Sequence, residues 1–387
     1  MLSKLERSFT SNGFAGWDPY DGLNSRFLKV LTLNRKWLRI AVTQSMKRSP
    51  VNLRPLLGIP RGRNPKAIGL LAGAYLRRYK KTKQQTLLDN TRHLLDWLVE
   101  NTSPGYSGYA WGYNFDWQSS VFYIPKGVPT VVNTTFIANA FLDAYFTFKE
   151  SNYLDVARSA CDFILNDLNR TSTDSDSDSK KYFWFSYSPV DETCCHNANL
   201  LAAELLARIY SFSKNNILYE SAMKSTEFTL SRQNSDGSWC YGLSPQQKFV
   251  DSFHTGFVLV SLVNIMANLD HTDNKRFERI LLKGYEFYKK TFWESDGCPR
   301  YYRDKRYPID LHCSAQGIIT FLHFREYDNE AVDFAQKIAE WAINNMWDAK
   351  KNYFYFQRTK HYTNKIPYLR WPNVWMYYAL TTLDSMT

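Results

Sequence analysis

Three histidines and one arginine recur along the chain at a constant interval of 58 residues. They are His196, His254, His312 and Arg370. A constant interval indicates equivalent points of successive structural repeats, so we expect the four side chains at one height around a common centre. A histidine at the positive end of a helix is biased toward its neutral form, which can act as a general base or a ligand. Hydrogen bonding at a helix start is the alternative interpretation.

Carboxylates precede each of these histidines by a few residues. Asp191, Asp251 and Asp310 repeat in step, and each could simply cap a helix. Glu192 has no counterpart in the other repeats, and a residue that breaks a repeat is a candidate for function. Within "DETCCHNANL" we therefore favour Glu192, with His196 beside it. The predicted catalytic residues are Asp116, Glu192, His196, Asp251, His254, Asp310 and His312.

Two aromatic segments place carboxylates beside tryptophan and tyrosine. They are "GWDPYDGLNS" at 16–25 and "WGYNFDWQS" at 111–119. Aromatic rings stack on the apolar faces of sugars, while carboxylates bind hydroxyls or transfer protons. Packing within the loops is the alternative. The predicted substrate-binding residues are Trp17, Asp18, Tyr20, Asp21, Trp117, Gln118, Asp191, Arg370 and Trp371.

The elements that carry these residues repeat about every sixty residues. Polar starts followed by apolar runs begin near Asn64, Val132, Asp191, Asp251, Asp310 and Arg370, and the last three intervals are 60, 59 and 60 residues. A second helical run and a long aromatic loop follow most starts. Alanine and glycine are frequent in the first helix of each pair, which would let these helices crowd together inside. The pattern predicts an all-α fold, an (α/α)6 toroid, with short β-hairpins in the loops at one mouth.

One toroid would account for residues 1–387 as a single domain. Six inner helices leave only five outer helices between them, so a sixth must come from elsewhere. The amphipathic run from Leu33 to Met46 is the candidate, and we expect it to close the ring beside the C-terminus. The inner helices would begin at one mouth, where a concave site with converging polar groups is expected.

Composition limits the class of protein. The 387 residues are 44% hydrophobic and 16% aromatic, enough for a sizeable core. The N-terminus lacks the apolar core of a signal peptide, and the six cysteines show no disulfide spacing, so we expect a cytoplasmic protein. "DSDSDSKK", from Asp174 to Lys181, is typical of a polar surface insertion.

Positive charge is concentrated near the N-terminus. The net charge is +11, and residues 26–66 alone contain eleven Lys and Arg and no Asp or Glu. This segment could bind an acidic glycan, a membrane surface or a polysaccharide-assembly partner. A solvated helix face is the alternative. Nucleic acid is the least favoured partner, because no recognition motif accompanies the charge.

Several motifs together resemble one protein family. They are "WDPYDGLNS", "NPKAIGLL", "WGYNFDWQS", "DETCCHNANL", "DSFHTGF", "IDLHCSAQ" and "LRWPNVWM". The combination resembles the VpsJ-like polysaccharide-biosynthesis proteins, of the six-hairpin toroid group that also contains glycoside hydrolases, polysaccharide lyases and sugar epimerases. The resemblance implies a role in surface-glycan or exopolysaccharide assembly and does not name a reaction.

Two other resemblances are weaker. "QNSDGSW" resembles a turn of terpene cyclases and prenyltransferases, but their acidic motifs are missing. "SWCYG" at Cys240 and "CCH" at Cys195–His196 resemble the zinc motifs of lanthionine cyclases, with the order reversed and the spacing lost. A zinc-dependent cyclase is therefore a minor alternative, and we predict neither a metal nor another cofactor.

The favoured function is a carbohydrate-active enzyme acting on an anionic glycan held in the toroid cleft. The reaction could be hydrolysis, which needs two carboxylates, or lyase or epimerase chemistry, which needs a base near C5 and a cation on the uronate. The alternative is a non-catalytic glycan-binding or assembly factor that uses the same cleft and the basic segment.

Overall fold

The computed structural model describes residues 1–172, 182–269 and 274–386. Its α-helices are α1 (Leu2–Ser11), α2 (Arg26–Leu31), α3 (Lys36–Arg48), α4 (Pro65–Thr82), α5 (Gln85–Glu100), α6 (Val131–Phe148), α7 (Ser151–Asn166), α8 (His196–Ser213), α9 (Asn216–Leu230), α10 (Ser252–Asn268), α11 (Asn274–Thr291), α12 (Leu311–His323), α13 (Ala331–Met346) and α14 (Trp375–Met386). The predicted insertion at 174–181 lies outside the described residues.

Short strands join some of the loops into hairpins. They are β1 (Trp117–Gln118), β2 (Tyr123–Ile124), β3 (Arg170–Thr171), β4 (Trp184–Phe185), β5 (Ile309–Asp310), β6 (Trp347–Asp348), β7 (Tyr353–Phe354), β8 (Gln357–Arg358) and β9 (Thr363–Asn364). All pairs are antiparallel: β1 with β2, β3 with β4, β6 with β7, and β8 between β5 and β9.

Six helices form a closed inner ring. Helices α4, α6, α8, α10, α12 and α14 contact one another in that order, and α14 contacts α4. Small residues allow this packing: a Cβ added at Gly69 on α4 would lie 2.8 Å from Cγ1 of Ile137 on α6. Side-chain caps fix four of the helix starts, because they accept hydrogen bonds from otherwise unpaired N–H groups. The capping residues are Asn64, Thr130, Asp251 and Asp310. The predicted (α/α)6 toroid is confirmed.

The outer helices pack each on the inner helix before it. Helices α5, α7, α9, α11 and α13 contact α4, α6, α8, α10 and α12 respectively. Helix α1, whose Leu5 and Phe9 are buried, packs on the outside of α14. The ring of Phe9 lies 5.5 Å from that of Tyr377, and Glu6 accepts a hydrogen bond from the Tyr377 hydroxyl at 2.8 Å.

The predicted closing helix at 33–46 therefore requires a correction. The segment does form α3, but α3 packs on a short 3-10 helix, Asp21–Asn24, and on β1. Its amphipathic pattern indicated a helix correctly but could not identify the surface on which that helix packs. The sixth outer position belongs to α1, and α3 covers part of the mouth.

Two of the six inner helices begin later than the sequence predicts. Helix α8 begins at His196 and not near Asp191, and a π-helical segment, Leu369–Val374, precedes α14. The start of each inner helix nevertheless faces the same mouth as the β1–β2 hairpin and α3. No helix in the described ranges is long and apolar enough to cross a membrane.

Candidate active site

A cavity of about 330 Å³ opens at the mouth where the inner helices begin. We call it the mouth cavity. Its volume is at the lower end of the range typical of small-molecule sites. Helix starts supply its floor and the aromatic loops supply its walls. Of the predicted site residues, the cavity is lined by Tyr20, Trp117, Gln118, Asp251, His254, His312, Arg370 and Trp371.

Asp251 and His254 form a hydrogen-bonded dyad at the start of α10. Asp251 Oδ1 accepts the His254 backbone N–H at 2.9 Å, and Oδ2 accepts from His254 Nδ1 at 2.7 Å. Because an ionised carboxylate only accepts, Nδ1 carries the proton and Nε2 remains available as a base. The Asp251 side chain is fully buried, whereas 22% of the His254 side chain is exposed. The dyad thus has the arrangement of an oriented general base.

His312 lies deeper in the same cavity, on the first turn of α12. Its ring is within 5 Å of the rings of Phe253, Trp371 and Trp375. Neither ring nitrogen has a hydrogen-bond partner among the described residues. Burial, followed by the charges of Lys66 and Arg370, lowers the pKa of His312 well below its ordinary value. A neutral, unpaired imidazole at a cavity floor is available to a ligand.

Lys66 is a buried amine on the first turn of α4. Its Nζ lies 4.3 Å from the centroid of Phe136 and 5.1 Å from that of Trp375, with no hydrogen bond to another described residue. Burial, and then the charge of Arg370, lowers the pKa of Lys66 well below 10.5. Sequence reasoning missed this residue. The available signal was a lysine among the small and apolar residues of "NPKAIGLL".

Arg370 supplies a fixed positive charge. Its Nε and Nη2 donate to the two oxygens of Asp18 at 2.7 and 2.9 Å, and both side chains are buried. The nearby Asp18 carboxylate raises the pKa of Arg370 despite its burial. The third guanidinium nitrogen, Nη1, has no bond to a described residue. The pair therefore joins the loop at 16–25 to the π-helical segment that precedes α14, and leaves the two N–H groups of Nη1 for a ligand.

Aromatic rings form the walls. The rings of Tyr20 and Trp371 are 5.5 Å apart, and Trp117 packs at 5.3 Å from Tyr187. The hydroxyls of Tyr113 and Tyr187 are 3.2 Å apart. Burial raises the pKa of both tyrosines. These rings offer apolar surface with hydroxyls at its edge, which is the surface that a sugar ring requires.

Two predicted catalytic aspartates lie behind the walls. Asp310 accepts hydrogen bonds from the His312 N–H at 2.9 Å, Trp371 Nε1 at 3.0 Å and Gln357 Nε2 at 3.1 Å. Burial raises its pKa to about 6. Asp116 binds Lys29 Nζ at 2.5 Å, also outside the cavity lining. Each of the two orients its neighbours and does not face the cavity.

Other predicted residues lie in the surrounding structure. Trp17 donates to the Ile59 carbonyl at 3.1 Å, away from the cavity. Asp21 binds Arg54 Nε at 2.7 Å in a buried ion pair. Asp191 Oδ1 accepts a hydrogen bond from the Thr193 N–H at 2.8 Å and so stabilises a turn. The neighbouring Glu192 is exposed.

His196 differs from the other two histidines. Its Nδ1 is 3.3 Å from Thr229 Oγ1, and its ring stacks on Phe228 behind the cavity wall. Burial, with the charges of Arg232 and Lys248, lowers its pKa to about 3. The interval of 58 residues therefore brings His254, His312 and Arg370 together in the mouth cavity, while His196 lies in the packing around it.

The cysteines of "DETCCHNANL" are buried. Cys195 Sγ accepts a hydrogen bond from Gln247 Nε2 at 3.2 Å, and Cys194 packs with Trp184 and Phe228. Within the part of the chain that the structure describes, no three His, Cys, Asp or Glu side chains are grouped to hold a metal ion. These contacts give both cysteines a packing role.

Comparison with known proteins relates the chain to carbohydrate-active proteins. A family model described as the D-glucuronyl C5-epimerase C-terminus matches residues 105–283, a segment that includes Asp251 and His254. No curated protein matches the chain. A cellobiose 2-epimerase from Bacillus thermoamylovorans B4167 superposes with a TM-score of 0.64 at 12% identity, covering 83% of this chain and 88% of that chain.

Two further structures share the fold but are named as hydrolases. The GH76 α-mannanase of Bacteroides thetaiotaomicron superposes with a TM-score of 0.62 at 14% identity, covering 83% of this chain and 86% of its own. A glycosyl hydrolase family 88 protein from Bacteroides vulgatus superposes with a TM-score of 0.58 at 11% identity, covering 87% and 97%. At these identities the likeness shows the toroid fold alone.

Proposed function

We propose that this protein is a carbohydrate-active enzyme that inverts a sugar carbon by proton transfer, with a uronate-containing glycan as substrate. The observation that carries the proposal is the Asp251–His254 dyad. Among the described residues that line the mouth cavity, Asp251 is the only carboxylate, and it is already bound to His254. Hydrolysis by the usual route needs two carboxylates at the scissile bond, whereas proton abstraction needs one oriented base.

Each polar group of the cavity has a role in such a reaction. His254 Nε2 would take the proton from C5, the carbon next to the uronate carboxylate. Arg370 Nη1 would bind that carboxylate and stabilise the negative charge that develops on it. Lys66 in its ammonium form would return a proton to the opposite face of C5, and its lowered pKa makes this ammonium a stronger acid than an exposed lysine. One C–H bond breaks and another forms, with no net gain or loss of atoms.

The comparisons add support of a different kind. The matching family model and one structural neighbour are both named for epimerases, and the two names describe inversion at a sugar carbon. The name of the family model specifies a glucuronyl unit, which agrees with the fixed positive charge of Arg370 in the cavity. The resemblance of the motifs to VpsJ-like proteins agrees with a glycan polymer as substrate and extends the proposal to surface-polysaccharide assembly.

Solvent isotope exchange tests the reaction. The purified chain is incubated in D2O with a 1→4-linked oligosaccharide of glucuronate and N-acetylglucosamine, with cellobiose as the neutral comparison. We expect deuterium at C5 of the uronate and the appearance of the C5 epimer by NMR, with no change in chain length. Asp251→Asn should nearly abolish the exchange. The amide Oδ1 can keep the bond from the backbone N–H, but Nδ2–H then faces His254 Nδ1, which places the imidazole proton on Nε2 and removes the base.

Other products would identify other reactions. New reducing ends without absorbance at 235 nm would indicate hydrolysis, and new absorbance at 235 nm would indicate a lyase, which shares the first proton transfer but then expels the C4 substituent. Saturable binding of the oligosaccharide without exchange would indicate a glycan-binding protein. Deuterium at C2 of cellobiose alone would contradict the uronate specificity while keeping the chemistry.

A further inference from the structure

Exposed apolar side chains are concentrated in residues 26–56, which we call the N-terminal surface. Nine of the nineteen exposed large apolar side chains in the described ranges belong to it. They are Phe27, Val30, Leu31, Leu33, Trp37, Leu38, Val51, Leu53 and Leu56. The exposed fraction is 73% for Trp37 and 84% for Leu56. An exposed apolar cluster of this density usually marks a binding surface.

The same surface is basic. Arg26, Lys29, Arg35, Lys36 and Arg48 are exposed, and the chain has no Asp or Glu between residues 22 and 88. Lys29 is paired with Asp116, which is part of the mouth structure. The other four have no ion pair among the described residues. Basic side chains interspersed with aliphatic and tryptophan side chains are typical of segments that bind anionic membrane surfaces.

The combination of positive charge and exposed aliphatic side chains on this surface favours one of the possible partners over the others. An acidic glycan or a nucleic acid would satisfy the positive charges but would leave leucine and valine side chains in water. A lipid bilayer with anionic headgroups satisfies both, because the aliphatic chains enter the interface while Lys and Arg remain at the phosphates. We infer that the N-terminal surface docks this protein onto an anionic membrane, as an interfacial and not a spanning contact.

The position of the surface relates membrane binding to the site. Helix α3 contributes Ile40 and Gln44 to the lining of the mouth cavity and exposes Trp37 and Leu38. In addition, Arg39 Nε on α3 donates to Gln118 of the cavity wall at 2.8 Å. A bilayer bound at the N-terminal surface would therefore lie beside the mouth, which suits a glycan carried on a lipid. Only this last step rests on the proposed function.

Vesicle co-sedimentation tests the inference without any glycan, so its failure is separate from failure of the proposed function. The full chain is mixed with vesicles of phosphatidylcholine and phosphatidylglycerol, and with vesicles of phosphatidylcholine alone. We expect binding to the mixed vesicles that weakens as salt is raised, and much weaker binding to the neutral ones. Equal binding to both, or none to the mixed vesicles, would overturn the inference.

Substitutions at exposed positions separate the apolar contribution to membrane binding from the electrostatic one. Leu33→Ser with Trp37→Ser should lower partitioning about tenfold or more. Arg35→Glu with Lys36→Glu should lower it at least about 25-fold, since each basic residue near an anionic surface contributes roughly fivefold. The matched control is Ile217→Ser on the outer helix α9, whose side chain is 63% exposed and should not affect binding. Thermal melts should be unchanged for all variants.

Two results would assign the surface to another partner. If both double variants sediment with mixed vesicles as well as the wild type does, the membrane contact lies elsewhere and the inference is wrong. If light scattering shows a wild-type dimer that Trp37→Ser converts to a monomer, with no vesicle binding, the surface is an interface between two copies of this chain.

Discussion

The toroid encloses two cavities of similar size at opposite ends of its inner ring, and their polar groups differ. The mouth cavity has a volume of about 330 Å³, and a second cavity of about 280 Å³ lies toward the ends of the inner helices. We call the second one the base cavity. Phe257 lines both. Size therefore does not distinguish them.

In the base cavity the carboxylates are bonded to side chains of neighbouring helices. Asp143 on α6 binds Arg208 on α8 at 2.5 Å, and Glu204 accepts from Ser261 and Asn264 of α10 at 2.7 Å each. These bonds join neighbouring inner helices. Arg77 Nη1 and Gln316 Oε1 have no partner among the described residues, but Arg77 Nη2 donates to the Tyr378 hydroxyl and Gln316 Nε2 donates to Thr320 Oγ1.

In the mouth cavity His312 has no hydrogen bond to a described residue, and neither has the Lys66 amine. Buried polar groups without partners cost free energy, so a fold retains them where a ligand completes their bonding. The hydrogen bonding of the lining polar groups, and not the cavity volume, therefore distinguishes a structural cavity from a candidate site.

The largest expected effect tests the mouth cavity. His254→Asn removes the proposed base but keeps the backbone N–H of residue 254, which donates to Asp251 Oδ1 at 2.9 Å. The buried carboxylate therefore retains one hydrogen bond. Turnover in the exchange assay should fall roughly 10²- to 10⁴-fold, with little change in melting temperature. Full activity of this variant would remove the dyad from the mechanism.

Lys66→Met tests whether an unpaired buried group has been retained for function at a cost to stability. Activity should fall, by roughly 10²-fold if Lys66 returns the proton, while the free energy of unfolding should rise. At pH values between the lowered folded pKa of Lys66 and 10.5, folding of the wild type requires this lysine to release a proton, because burial disfavours its charged form.

The sign of this effect gives a pH signature. The unfolded state binds more protons between the two pKa values, so wild-type stability rises with pH there. The stability difference between Lys66→Met and the wild type should be greatest at low pH and should narrow by about 1.4 kcal/mol per pH unit as pH approaches 10.5. Urea denaturation of both proteins over that range measures it. A constant difference would mean that Lys66 does not titrate in this window.

The base cavity should respond in the opposite way. Asp143→Asn removes the carboxylate bound to Arg208, and we expect a loss of about 2 kcal/mol, below the full cost of breaking a buried pair because both side chains are about a quarter exposed. Turnover per folded molecule should not change. Arg208→Met added to Asp143→Asn should recover part of the stability. A loss of turnover without a loss of stability would indicate that the base cavity also takes part in function.

How far the sequence predicts this arrangement depends on whether local or distant contacts decide it. The repeat interval and the small residues of the first helices were sufficient for the toroid, and the regular spacing located His254, His312 and Arg370 at the mouth. Which carboxylate faces the cavity depends on distant partners. Asp310 turns to Gln357 on β8, and Asp18 meets Arg370 at the other end of the chain. No local pattern encodes those pairings.

The prediction that residues 33–46 close the ring was wrong for a related reason. Amphipathic periodicity identifies a helix and its apolar face but not the surface on which that face packs. Ten residues of α1, with Leu5 and Phe9 buried, occupy the position predicted for 33–46. The exposure of Trp37 and Leu38 on α3 could not be predicted from the periodicity either, because it depends on which face of α3 packs against the mouth.

The smallest expected effects concern the two residues first favoured in "DETCCHNANL". Glu192 is exposed, so Glu192→Gln should leave both turnover and melting temperature within error. His196 is buried against Thr229 and Phe228, and its pKa of about 3 keeps it neutral. His196→Gln should therefore lower stability by about 1 kcal/mol and leave turnover unchanged.

The acid side of the stability profile separates His196 from His254. Because the folded pKa of His196 lies below that of an unfolded histidine, about 6.5, the unfolded state gains the proton first and wild-type stability falls as pH drops from 6.5 toward 3. In His196→Gln the free energy of unfolding should fall less steeply over this pH range than in the wild type. Urea denaturation at several pH values would detect the difference. If instead this variant loses turnover as His254→Asn does, the 58-residue series continues into the catalytic site through all three histidines, and the mouth cavity extends past the wall that Phe228 and Thr229 form.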